Sequence, residues 1–163
     1  MGLVLLLLVV LLALMFLGWR KRQRGQSAVA GPAPVPADIG AVHGTFDGLY
    51  VATTVAGEPL NRITVRGLGF RSRATVTVAD GGIVFALRGE PEAWIATATL
   101  REVTRATWTI DRVVEEGGLV LIAWTLGDGD TATAVDSYFR LDQSPELLDA
   151  INLIYPVSTG RKA

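Results

Sequence analysis

The residues that could perform chemistry in this chain are few and far apart. The chain has 163 residues, no cysteine and a single histidine, His43. This composition excludes a disulfide framework, a thiolate metal site and a pair of histidine ligands. Because His43 follows a proline-rich stretch and precedes the first predicted strand, we interpret it as a solvent-exposed residue at the end of a linker.

The acidic residues that come in pairs lie in glycine-rich stretches. Glu115 with Glu116, and Asp128 with Asp130, are typical of turns. The alternative for Asp128 and Asp130 is weak capture of Ca²⁺, although the pair lacks the ligand number of a calcium loop. We find neither a nucleophile beside a base nor a metal-ligand set. We therefore predict no catalytic residue, no cofactor, no metal and no enzymatic activity.

A cluster of arginines is the candidate binding site. Arg62, Arg66, Arg71 and Arg73 lie in and after a predicted loop that contains Gly67 and Gly69. The two glycines lack the third glycine, the lysine and the following helix of a phosphate-binding loop, so we interpret them as a turn. Arginine binds phosphate groups in a bidentate manner, so the cluster is a candidate site for a lipid headgroup or another anion. The alternative is an ordinary solvated surface.

The charge of the chain is unevenly distributed. Its 15 basic residues include four that precede Asp38, the first of its 16 acidic residues. The rest of the chain therefore carries a net charge of −5. A general field of this sign does not attract DNA or RNA, so we predict no nucleic-acid partner.

The first residues are typical of a membrane anchor. Every residue from Leu3 to Trp19 is apolar or glycine, and a helix of this length measures about 26 Å, near the lower limit for a bilayer. We predict a transmembrane segment at 1–19, followed at the membrane interface by a set of aromatic and basic residues: Trp19, Arg20, Lys21, Arg22 and Arg24. Positive charge after the apolar run predicts an outer amino terminus and a cytoplasmic domain in the cell membrane. The alternative is a signal peptide cleaved near Ala30.

Beyond the anchor, composition divides the chain into three parts. We predict a basic segment and a linker rich in Pro, Ala and Gly at 20–44, a folded domain at 45–156 and a polar tail at 157–163. Prolines at alternate positions from Pro32 to Pro36 predict an extended spacer that holds the domain about 20 Å from the membrane.

The domain itself is predicted to be mainly β. Alternating or continuous apolar residues between glycine-rich turns predict seven strands, at 48–55, 71–78, 83–88, 93–97, 103–110, 119–126 and 132–141. Ser144, as a cap, and Pro145 then predict the start of an amphipathic helix that continues to Tyr155. Most aromatic residues are predicted to lie in the core, namely Tyr50, Phe70, Phe85, Trp94, Trp108, Trp124 and Phe139.

The order of these elements is that of a pleckstrin-homology-like (PH-like) antiparallel barrel, in which one carboxy-terminal helix caps an open end. An OB-type barrel and a helix-capped sandwich are the alternatives. Three stretches, 47–54 (DGLYVATT), 62–76 (RITVRGLGFRSRATV) and 114–120 (VEEGGLV), resemble actinobacterial single-pass membrane proteins with a PH-like domain. Some of those proteins are described only as transport or export proteins.

These observations lead to one functional expectation and two alternatives. We expect a non-enzymatic, membrane-tethered interaction or scaffold domain whose partners are the lipid bilayer and a protein. The alternatives are sensing of anionic headgroups through the arginine cluster, and an accessory role in a membrane transport or export complex.

Overall fold

The computed structural model describes residues 4, 7, 8, 10–12, 15, 16, 30–64, 67–106 and 118–157. The folded part contains eight strands and one helix that follows them. The strands are β1 (Val42–Val55), β2 (Glu58–Arg62), β3 (Ser72–Ala79), β4 (Gly82–Leu87), β5 (Ala93–Ala96), β6 (Leu100–Ala106), β7 (Leu119–Leu126) and β8 (Thr133–Leu141). The helix, α1, comprises Ser144–Asn152.

All of the strands belong to one antiparallel sheet in the order β5-β4-β3-β1-β8-β7-β6, and β2 pairs with the end of β1. β1 is long because it serves two halves of the sheet. Its first part pairs with β3 and its second part with β8, and Gly48 pairs with both. A Cβ atom at Gly48 would overlap the backbone of Arg140, so glycine allows the close approach of strands at this crossing.

The core lies between the two halves of the sheet and is rich in aromatic rings. Tyr50, Phe85, Trp124 and Phe139 are almost fully buried, and their rings pack edge to face at centroid distances of 5.6 to 6.2 Å. Trp94 is also buried. The prediction was wrong for Phe70, whose side chain is 84% exposed. Trp108 lies outside the described residues.

The helix covers one end of this core. Leu147, Leu148, Ala150 and Ile151 are buried and join the same hydrophobic cluster as the strands. Pro145 lies in the first turn, as predicted. Ser144 does not cap the helix, because Gln143 is at the cap position and the Ser144 hydroxyl donates backwards to the Leu141 carbonyl, at 2.8 Å.

The observed architecture agrees with the predicted PH-like class and differs in detail. β7 has the predicted bounds, and β3 and β4 form the predicted hairpin across the turn at Asp80 and Gly81. β2 is an additional strand, and β1 begins at Val42 instead of residue 48. His43 is therefore part of a strand, and its interpretation as a linker residue was wrong.

The segment that precedes β1 is attached to the domain. The Ala33 carbonyl accepts a hydrogen bond from the Trp94 amide at 2.9 Å, and the Ile39 carbonyl accepts one from the Gly81 amide at 3.0 Å. We call residues 33–41 the strap, since they run along the outer edge of β5.

None of the described residues form a helix that is long and apolar enough to cross a bilayer. The predicted interface residues, Trp19 to Arg24, lie outside the described residues.

Candidate functional site

The outer face of the sheet contains an open groove with a volume of about 850 Å³. Four strands contribute to it: β8, β1, β3 and the end of β4. The carboxy-terminal side of the groove is formed by Asp142, two residues before α1, and by Ser144, the first residue of α1. The groove is therefore held by the most extensively paired part of the sheet, which fixes the direction of the side chains that line it.

Three arginines form a row across this groove. Leu49 of β1 pairs with Arg140 on one side and with Arg73 on the other. The Arg88 amide donates to the Arg73 carbonyl at 3.0 Å, which continues the register of β3 and β4 by one pair. Residues that are directly opposite in neighbouring strands point to the same face. Arg140, Arg73 and Arg88 thus lie on one face, with half-buried Leu49 between the first two. We call them the arginine row.

The positive charges of the arginine row are not neutralised within the described part of the chain. The three side chains are exposed, and no carboxylate of a described residue lies within ion-pair distance of them. Two acidic residues, Asp47 and Asp142, also line the groove. The Asp47 carboxylate accepts a hydrogen bond from the Thr75 hydroxyl at 2.6 Å. Arg73 and Arg88 are like charges on directly opposite positions, an arrangement that is unfavourable without a counter-ion.

The structure separates the arginines that the sequence grouped together. Arg73 lies in the groove, whereas Arg71 is exposed just before β3 and does not line it. The Arg62 side chain donates to the Val51 carbonyl at 3.0 Å, and Arg66 lies outside the described residues. Anion binding by this set stays a prediction.

Sequence reasoning missed Arg88 and Arg140 because they are distant from Arg73 along the chain. One signal was available in the sequence. Arg88 follows a strand that forms a tight hairpin with β3, so its position opposite Arg73 can be counted from the turn at Asp80 and Gly81. The proximity of Arg140 depends on the pairing of β1 with β8, which no local pattern indicates.

A chain of buried hydrogen bonds lies on the inner side of the sheet. The Trp124 indole N–H donates to the Ser137 hydroxyl at 2.9 Å, which lies 2.8 Å from the Thr53 hydroxyl. The Tyr50 hydroxyl donates to the Leu68 carbonyl at 3.0 Å and lies 2.9 Å from the Thr53 hydroxyl. Burial, opposed by the bond to Thr53 and the charge of Arg62, raises the pKa of Tyr50 to about 12. This network ties the loop after β2 to three strands.

His43 has a partner at the far end of β3. Its Nε2 atom lies 2.7 Å from the Asp80 carboxylate. The same carboxylate accepts a hydrogen bond from the Ala41 amide at 2.9 Å. The Ala41 bond and then the His43 side chain hold the pKa of Asp80 below its ordinary value. These contacts fasten the strap to the β3–β4 turn, so we assign them a structural role.

The paired acidic residues do not form a metal site in the described chain. Asp128 and Asp130 are located in and next to a short 3-10 turn, Gly129–Thr131. No group of three histidine or carboxylate side chains comes together among residues 30–64, 67–106 and 118–157. Glu115 and Glu116 lie outside the described residues.

The family follows from a match that covers most of the domain. Residues 29–154 match the family described as bacterial PH domain-like. The chain belongs to this family. Domains of this kind are generally non-enzymatic interaction domains. A search of curated proteins finds no match to the chain. The membership agrees with the resemblance seen in the sequence, while the actinobacterial, membrane-bound character of the relatives stays a prediction.

Proposed function

We propose that this protein is a membrane-tethered interaction domain that faces the cytoplasm and binds an acidic segment of a protein partner in the groove of the arginine row. The observation that carries the proposal is the set of three guanidinium groups that have no ion-pair partner among the described residues, in a groove of about 850 Å³. The domain as a whole is acidic, so these residues form a local basic surface on a negative background. Such contrast favours one acidic partner surface over a general attraction to polyanions.

The tether is supported by the amino-terminal residues. The eight described residues between Val4 and Phe16 are helical, and their apolar side chains are exposed by 47% or more. Exposed apolar side chains are stabilised by lipid. The basic residues from Arg20 to Arg24 follow this run in the sequence, which supports a cytoplasmic location for the domain. A carboxy-terminal reporter that is active only outside the cytoplasm should stay silent, and strong reporter activity would refute this orientation.

Site-specific photo-crosslinking tests the groove. A photoreactive amino acid at Leu49, between Arg73 and Arg140, should crosslink the full chain in native membranes to a distinct protein. The double substitution Arg73→Glu and Arg140→Glu should abolish that product. The matched control, Arg101→Glu with Arg105→Glu, changes the same amount of charge at exposed positions of β6 and should retain it. A product that survives reversal of the arginine row contradicts the proposal.

Binding of an anionic lipid headgroup is the second candidate. Arg73 is the second residue of β3 and Arg88 directly follows β4, so both lie at the end of the sheet where the strap begins. This end would be the one nearer to a bilayer. A chain without its first 29 residues should then sediment with anionic vesicles in a salt-sensitive manner, and Arg73→Ala with Arg88→Ala should abolish binding. An absence of vesicle binding removes this candidate.

A further inference from the structure

The strap shows at which end of the domain the amino-terminal segment arrives. Gly31 and Pro32 line a cavity of about 290 Å³ together with Gly67, Leu68 and residues 90–93. From there the strap runs along β5 and reaches the opposite end of the sheet, where the Ala41 carbonyl accepts a hydrogen bond from the Asp80 amide at 3.0 Å. The chain therefore enters beside the loop that contains Gly67 and Leu68.

That loop carries a large apolar side chain in water. Phe70 is 84% exposed, which equals the exposure of Leu60 in the same β1–β3 connection. Two residues earlier, Leu68 is only 1% exposed, and its carbonyl accepts the Tyr50 hydroxyl bond. We call residues 67–71 the Phe70 loop.

The backbone of the Phe70 loop is closely constrained. Gly67 has a φ of +82°, a conformation that favours glycine. A Cβ atom at Gly69 would come within 2.8 Å of the Thr64 carbonyl oxygen. Because Leu68 is fixed in the core, the constrained backbone of the loop holds the Phe70 side chain outward. The exposure of Phe70 is therefore not the result of a loosely packed loop.

We infer that the Phe70 loop inserts Phe70 into the interfacial region of the bilayer, so that this end of the domain lies against the membrane. The inference rests on the proposed tether. Only residues 20–30 separate Trp19 from Gly31 in the sequence, which limits the distance between the two to about 40 Å. Since the strap is bound to β5, its prolines do not add a spacer. The Phe70 loop is therefore the part of the domain brought closest to the bilayer.

The chemistry of the loop fits the membrane interface. Side chains such as Phe and Leu insert at the boundary between headgroups and acyl chains, and a neighbouring arginine can keep its charged tip at the headgroup level. Phe70 is followed directly by exposed Arg71. Glu90 and Glu92 are exposed at the same end and oppose a purely electrostatic attraction. Insertion should therefore depend on the apolar side chain and persist at high salt.

The absence of cysteine allows a direct test. We would place a single cysteine at position 70 of the full chain, label it with the environment-sensitive fluorophore NBD and reconstitute the protein in vesicles of phosphatidylcholine and phosphatidylglycerol. The matched control is Val42→Cys, an exposed apolar position that pairs with Ala79, about 23 Å from Ser72 along β3. Flotation of the vesicles measures tethering separately.

If Phe70 inserts, NBD at position 70 should show a blue-shifted emission and should be quenched by brominated lipid. NBD at position 42 should show neither change. A second probe at Arg71→Cys should show the same shielding and lose it on Phe70→Asp, but keep it on Val42→Asp. Protein that floats with the vesicles while position 70 stays as accessible as position 42 overturns the inference and leaves the tether intact. Protein that does not float overturns the tether and the inference with it.

Discussion

Removal of the Tyr50 hydroxyl should change both the stability of the domain and its dependence on pH. At neutral pH, Tyr50→Phe deletes the bonds to Thr53 and to the Leu68 carbonyl, 2.9 and 3.0 Å long. Two buried hydrogen bonds of this kind contribute about 2 kcal/mol. We expect the free energy of unfolding to fall by that amount, measured by urea denaturation.

The dependence of the unfolding free energy on pH at alkaline pH gives a more specific test. The ordinary pKa of a tyrosine is 10.0, and that of Tyr50 in the folded domain is about 12. The stabilisation from the protonated hydroxyl is therefore fully present below about pH 10 and is lost as pH rises through about 12. A difference of this size between the two pKa values corresponds to about 3 kcal/mol of unfolding free energy. The gap in unfolding free energy between the wild type and Tyr50→Phe should close across this range.

The matched control is Tyr155→Phe, which removes an exposed hydroxyl that donates to the Arg101 carbonyl at 2.7 Å. This substitution should lower the free energy of unfolding by at most about 1 kcal/mol, as expected for a hydrogen bond at the surface. If the stability curves of the wild type and Tyr50→Phe stay parallel from about pH 9 to about pH 12, burial does not control the ionisation of Tyr50, and our reasoning on the network is wrong.

Three further predictions concern the β3–β4 turn, the helix and the strand crossing at Gly48. Asp80→Asn should lower the melting temperature at neutral pH, and the difference from the wild type should vanish in acid. The pKa of Asp80 lies below its ordinary value of 3.8, so the ionised carboxylate stabilises the fold above pH 3.8, and this contribution is lost as pH falls through the pKa of the folded state. An equal difference in melting temperature at all pH values would contradict this prediction. Ile151→Ala, at a fully buried position, should cost about 3 kcal/mol in urea denaturation, whereas Leu153→Ala, 70% exposed, should cost less than about 0.5 kcal/mol. Gly48→Ala should destabilise the domain by about 2 kcal/mol through its clash at the strand crossing, and a wild-type melting curve for this variant would show that the crossing can relax.

The sequence was sufficient where the determining interactions are local. The β3–β4 hairpin was predicted because its turn residues and its alternating strands lie together in the chain. β7 was predicted because its continuous apolar run indicates burial on both faces. The buried face of α1 was visible in the spacing of Leu147, Leu148 and Ile151.

The errors arose where a distant partner decides the structure. His43 resembles a linker residue until Asp80 is placed 2.7 Å away by pairing of β1 with β3. Phe70 is apolar, but Leu68 occupies the core instead, so the tertiary position of the loop overrides residue type. The arginine row required the pairing of β1 with both β3 and β8. The candidate site was therefore only partly predictable, through Arg73.

The strap also determines how the edge of the sheet behaves towards other chains. An edge strand with free amides invites pairing with a strand of another molecule and is a common origin of aggregation. At β5 the Trp94 amide is already bound to the Ala33 carbonyl. A foreign strand would have to displace the strap before it could pair here, so the segment that leads to the amino terminus also protects the sheet against intermolecular growth.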